Sequence, residues 1–123
     1  MSKFIPRLAA LPILLMALAA GPLASVPAKA AIVPVEEALS EMSMGPDNAP
    51  VTMIEYSSLG CPHCAAFHLE TLPQIKKDYI DTGKVRLVFR DFPLGTPALA
   101  ASMIARCAGP KKFFGFIEIM FRS

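Results

Sequence analysis

The sequence predicts an α/β fold built on one βαβ unit, and three stretches carry that expectation. Val51 to Ser57 is rich in β-branched and aromatic residues and reads as a strand. Cys61 to Tyr79 reads as a helix, with Cys64, Phe67, Leu72, Ile75 and Tyr79 near one face. Val85 to Phe92 reads as a second strand, with alternation at Val85, Leu87 and Phe89. Short links join the three, so the strands should be parallel and the crossover right-handed.

The chain has 123 residues, room for one domain. Residues 1–30 have the plan of a secretory signal peptide. Lys3 and Arg7 give a basic start, Leu8 to Ala20 is apolar apart from Pro12, and Ala28-Lys29-Ala30 offers small residues for cleavage. The apolar run is about 13 residues, short of the roughly 20 that a spanning helix needs. The full chain carries a formal charge of +2, but residues 1–30 hold three basic residues and no acidic ones. Nine basic and ten acidic residues remain beyond them, which leaves no basic excess for nucleic acid. Export also fixes the redox setting, since outside the cytoplasm a cysteine pair can be oxidised and stay so.

Residues 31–50 are expected to form an N-terminal arm and turn. Ala31 to Ser43 suits a short amphipathic helix or a loose arm, and Gly45 to Pro50 is a cluster of turn residues. The main domain is expected over 51–123. Glu55 is the one charge in the first strand. Pro73 should kink the following helix, and Gly83 suits its left-handed cap. Pro93 stops the second strand. Thr96 and Pro97 then fit the N-cap and first position of a helix that runs to about Ala108. After Gly109-Pro110, Lys112 to Arg122 begins a further apolar helix.

The chemistry centres on Cys61-Pro62-His63-Cys64. A helix N-terminus leaves backbone N–H groups without partners and carries a positive dipole end, so a thiolate there is stabilised. Pro62 in the first turn loses no needed donor. His63 either lends charge beside the sulfurs or is a polar surface residue. In an exported βαβ setting this pair reads as redox-active. Two other readings compete with it. One is a structural disulfide. The other is a metal site from Cys61, Cys64 and His68, which lacks the distant second ligand pair that zinc normally takes. Haem attachment is excluded because Ala65, not histidine, follows Cys64. Cys61, nearer the open helix end, is the expected nucleophile, and Cys64, one turn in, the resolving thiol. The pair serves as its own redox group, with no cofactor. Glu55 is either on the solvent side of an edge strand or a partly buried acid near the cysteines that relays the Cys64 proton. Arg86 or Arg90 is its expected partner. His68 is expected on the helix surface, and Cys107 as a free, buried thiol.

These residues resemble a known family. Ala49-Pro50-Val51-Thr52, Glu55-Tyr56-Ser57, Cys61-Pro62-His63-Cys64, Phe67, Arg90-Asp91-Phe92-Pro93-Leu94 and Ala105-Arg106-Cys107-Ala108 are similar to DsbA-type thiol:disulfide oxidoreductases, the periplasmic disulfide-donating branch of the thioredoxin superfamily. The resemblance covers about residues 45–121. It implies a thioredoxin-like βαβ unit followed by the start of a helical insertion near residue 96, with the C-terminal half of the fold missing. It also implies that Cys61 attacks and is attacked, that Cys64 resolves, that His63 tunes the potential and that Glu55 is the acid beneath the site. The implied partners are reduced exported proteins and a membrane quinone-linked oxidase, and the implied location is the periplasm.

Family members continue through more insertion helices, a cis-proline loop, two further strands and a last helix. A two-stranded unit without them has an open edge and an unfilled core. The expected function is therefore disulfide donation, with two competitors. One is a disulfide isomerase or reductase of the same superfamily. The other is a truncated, non-catalytic remnant that keeps the motif.

Overall fold

The computed structural model describes residues 32–123, so the expected signal peptide lies outside the described residues. Three strands form one sheet: β1 (Met42–Met44), β2 (Val51–Ser57) and β3 (Val85–Asp91), in the order β1-β3-β2. β2 and β3 run parallel with Val51 opposite Val85 and Ser57 opposite Asp91. The expected βαβ unit is thus present. β1 pairs antiparallel with β3, Met42 opposite Phe89 and Met44 opposite Leu87.

β1 corrects the expectation of a loose arm and a two-stranded unit. Its three residues, Met-Ser-Met, carry no strand signal of their own; they are recruited because Met42 fills the core, where it is fully buried. α1, a single turn at Val35–Ala38, precedes it. With β1 on one side and β2 on the other, β3 is central. That explains why Leu87, Val88 and Phe89 are all buried, rather than alternate residues only. Gly45 makes the turn after β1 at φ +93°, and a Cβ there would lie 2.6 Å from the Val85 carbonyl oxygen.

α2 occupies 62–80 and alternates two α-helical segments, Pro62–Ala66 and Leu72–Ile75, with two π-helical turns, Phe67–Thr71 and Lys76–Ile80. The break expected at Pro73 takes the form of the π turn just before it, where the ladder accommodates the missing N–H. Each π turn adds a residue and rotates everything after it. The buried residue at the end is therefore Ile80, 3% exposed, and not Tyr79, 48% exposed. Gly83 closes the element at φ +77°, as expected.

α3 spans Thr96–Cys107 and α4 spans Pro110–Phe121. The cap of α3 is Gly95 rather than Thr96, which sits in the first turn with Pro97; glycine adopts the φ of +108° that the entry requires. Ala98, Ser102 and Ala105 face inward from α3, and Phe113, Ile117 and Phe121 from α4. Both sets follow helical spacing.

The principal core joins Met42, Phe89, Ala105, Phe113, Ile117 and Phe121, with Cys64 and Leu59 packed against it. A second cluster, Leu72, Ile80 and Leu87, lies under the far half of α2. Arg106 ties these layers together. It donates to Asp91 Oδ2 at 2.6 Å and to the Ala38 and Ser40 carbonyls at 3.0 and 3.1 Å. α1, α3 and the end of β3 are thereby pinned by one side chain. β2 has no partner on its outer side among the described residues, and Val51, Ile54 and Tyr56 are exposed. No helix among those residues is long and apolar enough to cross a membrane.

Candidate active site

Cys61 is the N-cap of α2, with extended backbone, φ −104° and ψ 118°, and Pro62 opens the helix after it. No side chain caps this end with a hydrogen bond, so the first N–H groups remain available to the sulfur. They lower the pKa of Cys61 below its ordinary value. The largest contribution is the Cys64 backbone N–H, followed by the Cys64 thiol; desolvation opposes them, and the His63 N–H adds a smaller lowering. The helix end and the second cysteine therefore stabilise the thiolate; the His63 imidazole is not among the causes.

The loop that delivers Cys61 is fixed by Ser58. Its Oγ accepts from the Gly60 N–H at 3.2 Å and from the Leu94 N–H at 3.1 Å, and its carbonyl accepts from the Cys61 N–H at 3.1 Å. One serine thus joins the loop after β2 to the loop after β3. Both cysteines are free thiols of intermediate exposure, so the expected contrast in exposure is not marked. What separates them is packing: Cys64 rests on the core, whereas Cys61 borders an open depression of about 250 Å³ that Leu59, Pro62, Met120 and Phe121 also line.

On its other side, Cys64 shares a shallow depression of about 240 Å³ with Glu55, Tyr56, His63 and Phe67. The structure thus brings together all five residues expected at the site: Cys61, Pro62, His63 and Cys64 on the first turn of α2, and Glu55 on β2 beside them. Of the two placements considered for Glu55, the structure shows the partly buried one, since its side chain is 13% exposed.

Its partner is not an arginine. In the parallel register Glu55 lies beside Phe89, whereas Arg86 and Arg90 lie beside Thr52 and Tyr56. Side chains alternate faces along a strand, so both arginines point away from Glu55. Arg86 pairs instead with Glu41 at 2.8 Å and Asp47 at 3.1 Å, and Arg90 with Glu41. Glu55 meets His68, whose Nε2 lies 3.0 and 3.1 Å from its two carboxylate oxygens.

His68 corrects the expectation of a surface residue, because its side chain is 4% exposed. It lies one turn beyond Cys64 on the same face, and that spacing is the signal that could have placed it inside. Phe67, Phe89 and Phe121 surround its ring, the last with centroids 4.7 Å apart. Cys107 is also corrected: it is exposed, because α3 turns Ala98, Ser102 and Ala105 inward and Cys107, two residues past Ala105, falls on the other side of the helix. Among the described residues no cluster of three or more histidine, cysteine or acidic side chains is arranged to hold a metal.

Comparison with known proteins gives a consistent picture. A family model described as thioredoxin matches residues 37–123. A Rickettsia conorii protein provisionally named protein-disulfide oxidoreductase is 40% identical over 75 residues, covering 61% of this chain and 27% of its own. The crystal structure of Wolbachia pipientis alpha-DsbA1 is 42% identical with a TM-score of 0.65, over 69% of this chain and 43% of that one. That of oxidised BdbD from Bacillus subtilis is 31% identical with a TM-score of 0.64, over 68% and 47%. The chain spans about a quarter of the Rickettsia relative and less than half of either solved chain.

Proposed function

The chain belongs to the thioredoxin family, and from that premise we propose that it is an exported thiol:disulfide oxidoreductase that donates the Cys61–Cys64 disulfide to reduced, folding proteins. The observation that carries the reading is the N-cap position of Cys61, with the Cys64 N–H, the Cys64 thiol and the His63 N–H lowering its pKa. A stabilised thiolate favours the reduced pair, which makes the disulfide a stronger oxidant.

Exchange proceeds in two displacements. A substrate thiolate attacks Cys61 Sγ, the Cys61–Cys64 bond breaks, and Cys64 leaves as a thiolate that takes up a proton. A second substrate thiolate then attacks the substrate sulfur of the mixed disulfide, and Cys61 leaves as the stabilised thiolate. The substrate loses two electrons and the pair gains them. Reoxidation runs the same steps backwards from a disulfide of higher potential, which we assign to a membrane quinone-linked oxidase in the periplasm. Glu55, in the depression it shares with Cys64, is the group that exchanges the Cys64 proton.

The test is the reduction potential of the pair, measured against glutathione on the purified chain. A value near the roughly −120 mV of a strong dithiol oxidant supports donation. A value near the −270 mV or so of a thioredoxin assigns the site to reduction instead. A chain that neither equilibrates with glutathione nor unfolds cooperatively is the non-catalytic remnant.

A further inference from the structure

We propose that His68 is a positioning residue for thiol exchange: its Nε2–H, shared between both oxygens of Glu55, aims that carboxylate and tempers its charge beside Cys64. The inference rests on the reading that Glu55 serves Cys64.

The geometry is specific. Nε2 faces two oxygens, at 3.0 and 3.1 Å, and an ionised carboxylate only accepts, so this nitrogen carries the hydrogen. The ring is held at that angle by Phe67, Phe89 and Phe121, and α2 fixes its backbone one turn from Cys64. An imidazole this buried is costly to place without a partner, and Glu55 is the hydrogen-bond partner the structure gives it.

The charges around the pair are few. Cys61, His63 and Cys64 lie towards the N-terminal end of α2, and Tyr56 neighbours Glu55 on β2. Lys76 of α2 and Glu118 of α4 border a separate cavity of about 280 Å³ that His68 also lines. Near Cys64, Glu55 is therefore the one carboxylate in its depression, and His68 is the group that moderates its field. A bare carboxylate opposes a thiolate forming beside it; one that already accepts a hydrogen bond opposes it less.

The test reads Cys64 directly, without depending on exchange activity. In the chain carrying Cys61→Ser and Cys107→Ser, Cys64 is the remaining thiol, and its alkylation by iodoacetamide at pH 7 reports thiolate availability. His68→Leu should slow alkylation about tenfold, the effect of an unmoderated neighbouring charge. His68→Gln, which keeps an N–H donor, should restore most of the rate. Glu55→Gln should speed alkylation, and adding His68→Leu to it should then change nothing.

A purely structural histidine gives another pattern. His68→Leu then alters the rate equally with and without Glu55, and Gln does not rescue it; that result overturns the proposal. If His68→Leu alone does not fold by circular dichroism, the comparison of Glu55→Gln with and without it decides, since any difference between the two contradicts the proposal. Failure of the chain to oxidise substrates would count against the proposed function and leave these rates as the measure of His68.

Discussion

The backbone N–H and the thiol of Cys64 are the two strongest influences that lower the Cys61 pKa. The cysteine proposed to resolve thus also lowers the pKa of its partner, and the two thiols are chemically distinct before any substrate arrives. Incubation with glutathione disulfide should show this. Cys64→Ser should accumulate one glutathione per chain on Cys61, because nothing resolves the adduct, whereas Cys61→Ser should gain little. Mass spectrometry reads both, and equal labelling of the two variants contradicts the assignment.

The depressed Cys61 pKa has a consequence for stability. In the unfolded chain this thiol titrates near the ordinary value of about 8.5. Folded, it titrates lower, so between the two values the native dithiol form binds fewer protons than the unfolded chain. Its stability therefore rises with pH towards about 8.5 and is lost as pH falls through the folded value. The disulfide form has no such thiol. The Tm of the reduced chain should climb relative to that of the oxidised chain across this window, and Cys61→Ser should remove its contribution to the slope.

Arg106→Leu removes the donor to Asp91 and to two carbonyls in one step. Asp91 is left largely buried, and its Oδ1 already has no partner. Because breaking a buried pair leaves an uncompensated charge, a loss of about 3 kcal/mol is expected in urea unfolding. A loss below about 1 kcal/mol would mean that water serves the carboxylate as well as the arginine does.

Ser58→Ala should act on the loops rather than the core. It strands the Gly60 and Leu94 N–H groups at a cost of about 1–2 kcal/mol. Amide hydrogen exchange at both positions should quicken together. Faster exchange at only one of them would show that the two loops are held independently.

Phe89→Ala tests the core. Phe89 is fully buried on the central strand, with Phe113 edge-on at 5.2 Å. Truncation should cost about 3–5 kcal/mol, as for other buried aromatic side chains.

The βαβ unit and the cysteine motif were legible because each is written locally. Strand composition, helical spacing and the Cys-Pro-His-Cys turn need no distant information. β1 was not legible, because a Met-Ser-Met segment becomes a strand only when β3 offers its free edge. The partner of Glu55 was misread for a related reason. The arginines of β3 lie near it in the sheet, and only the register, which sets Glu55 beside Phe89, reveals that they occupy the opposite face. His68 was placed outside because a lone histidine on a helix is ordinarily solvated, although its one-turn spacing from Cys64 pointed inward. Tyr79 and Ile80 exchanged places because π-helical turns leave no mark in a pattern read at 3.6 residues per turn.

The parallel pairing of β2 with β3 spans a fixed offset of 34 residues, Val51 with Val85 through Ser57 with Asp91. Both cysteines, Glu55, His68 and the Ser58–Leu94 tie fall between positions 55 and 94. The loop closure needed to assemble the site is therefore short, and its entropic cost rises only slowly with length. The parallel strand pair and the cysteine turn can form from this one contiguous stretch, before the last helix adds Phe113 and Phe121 to the core on which Cys64 rests. The timing of folding, and not only its end point, is set by how tightly these residues are gathered along the chain.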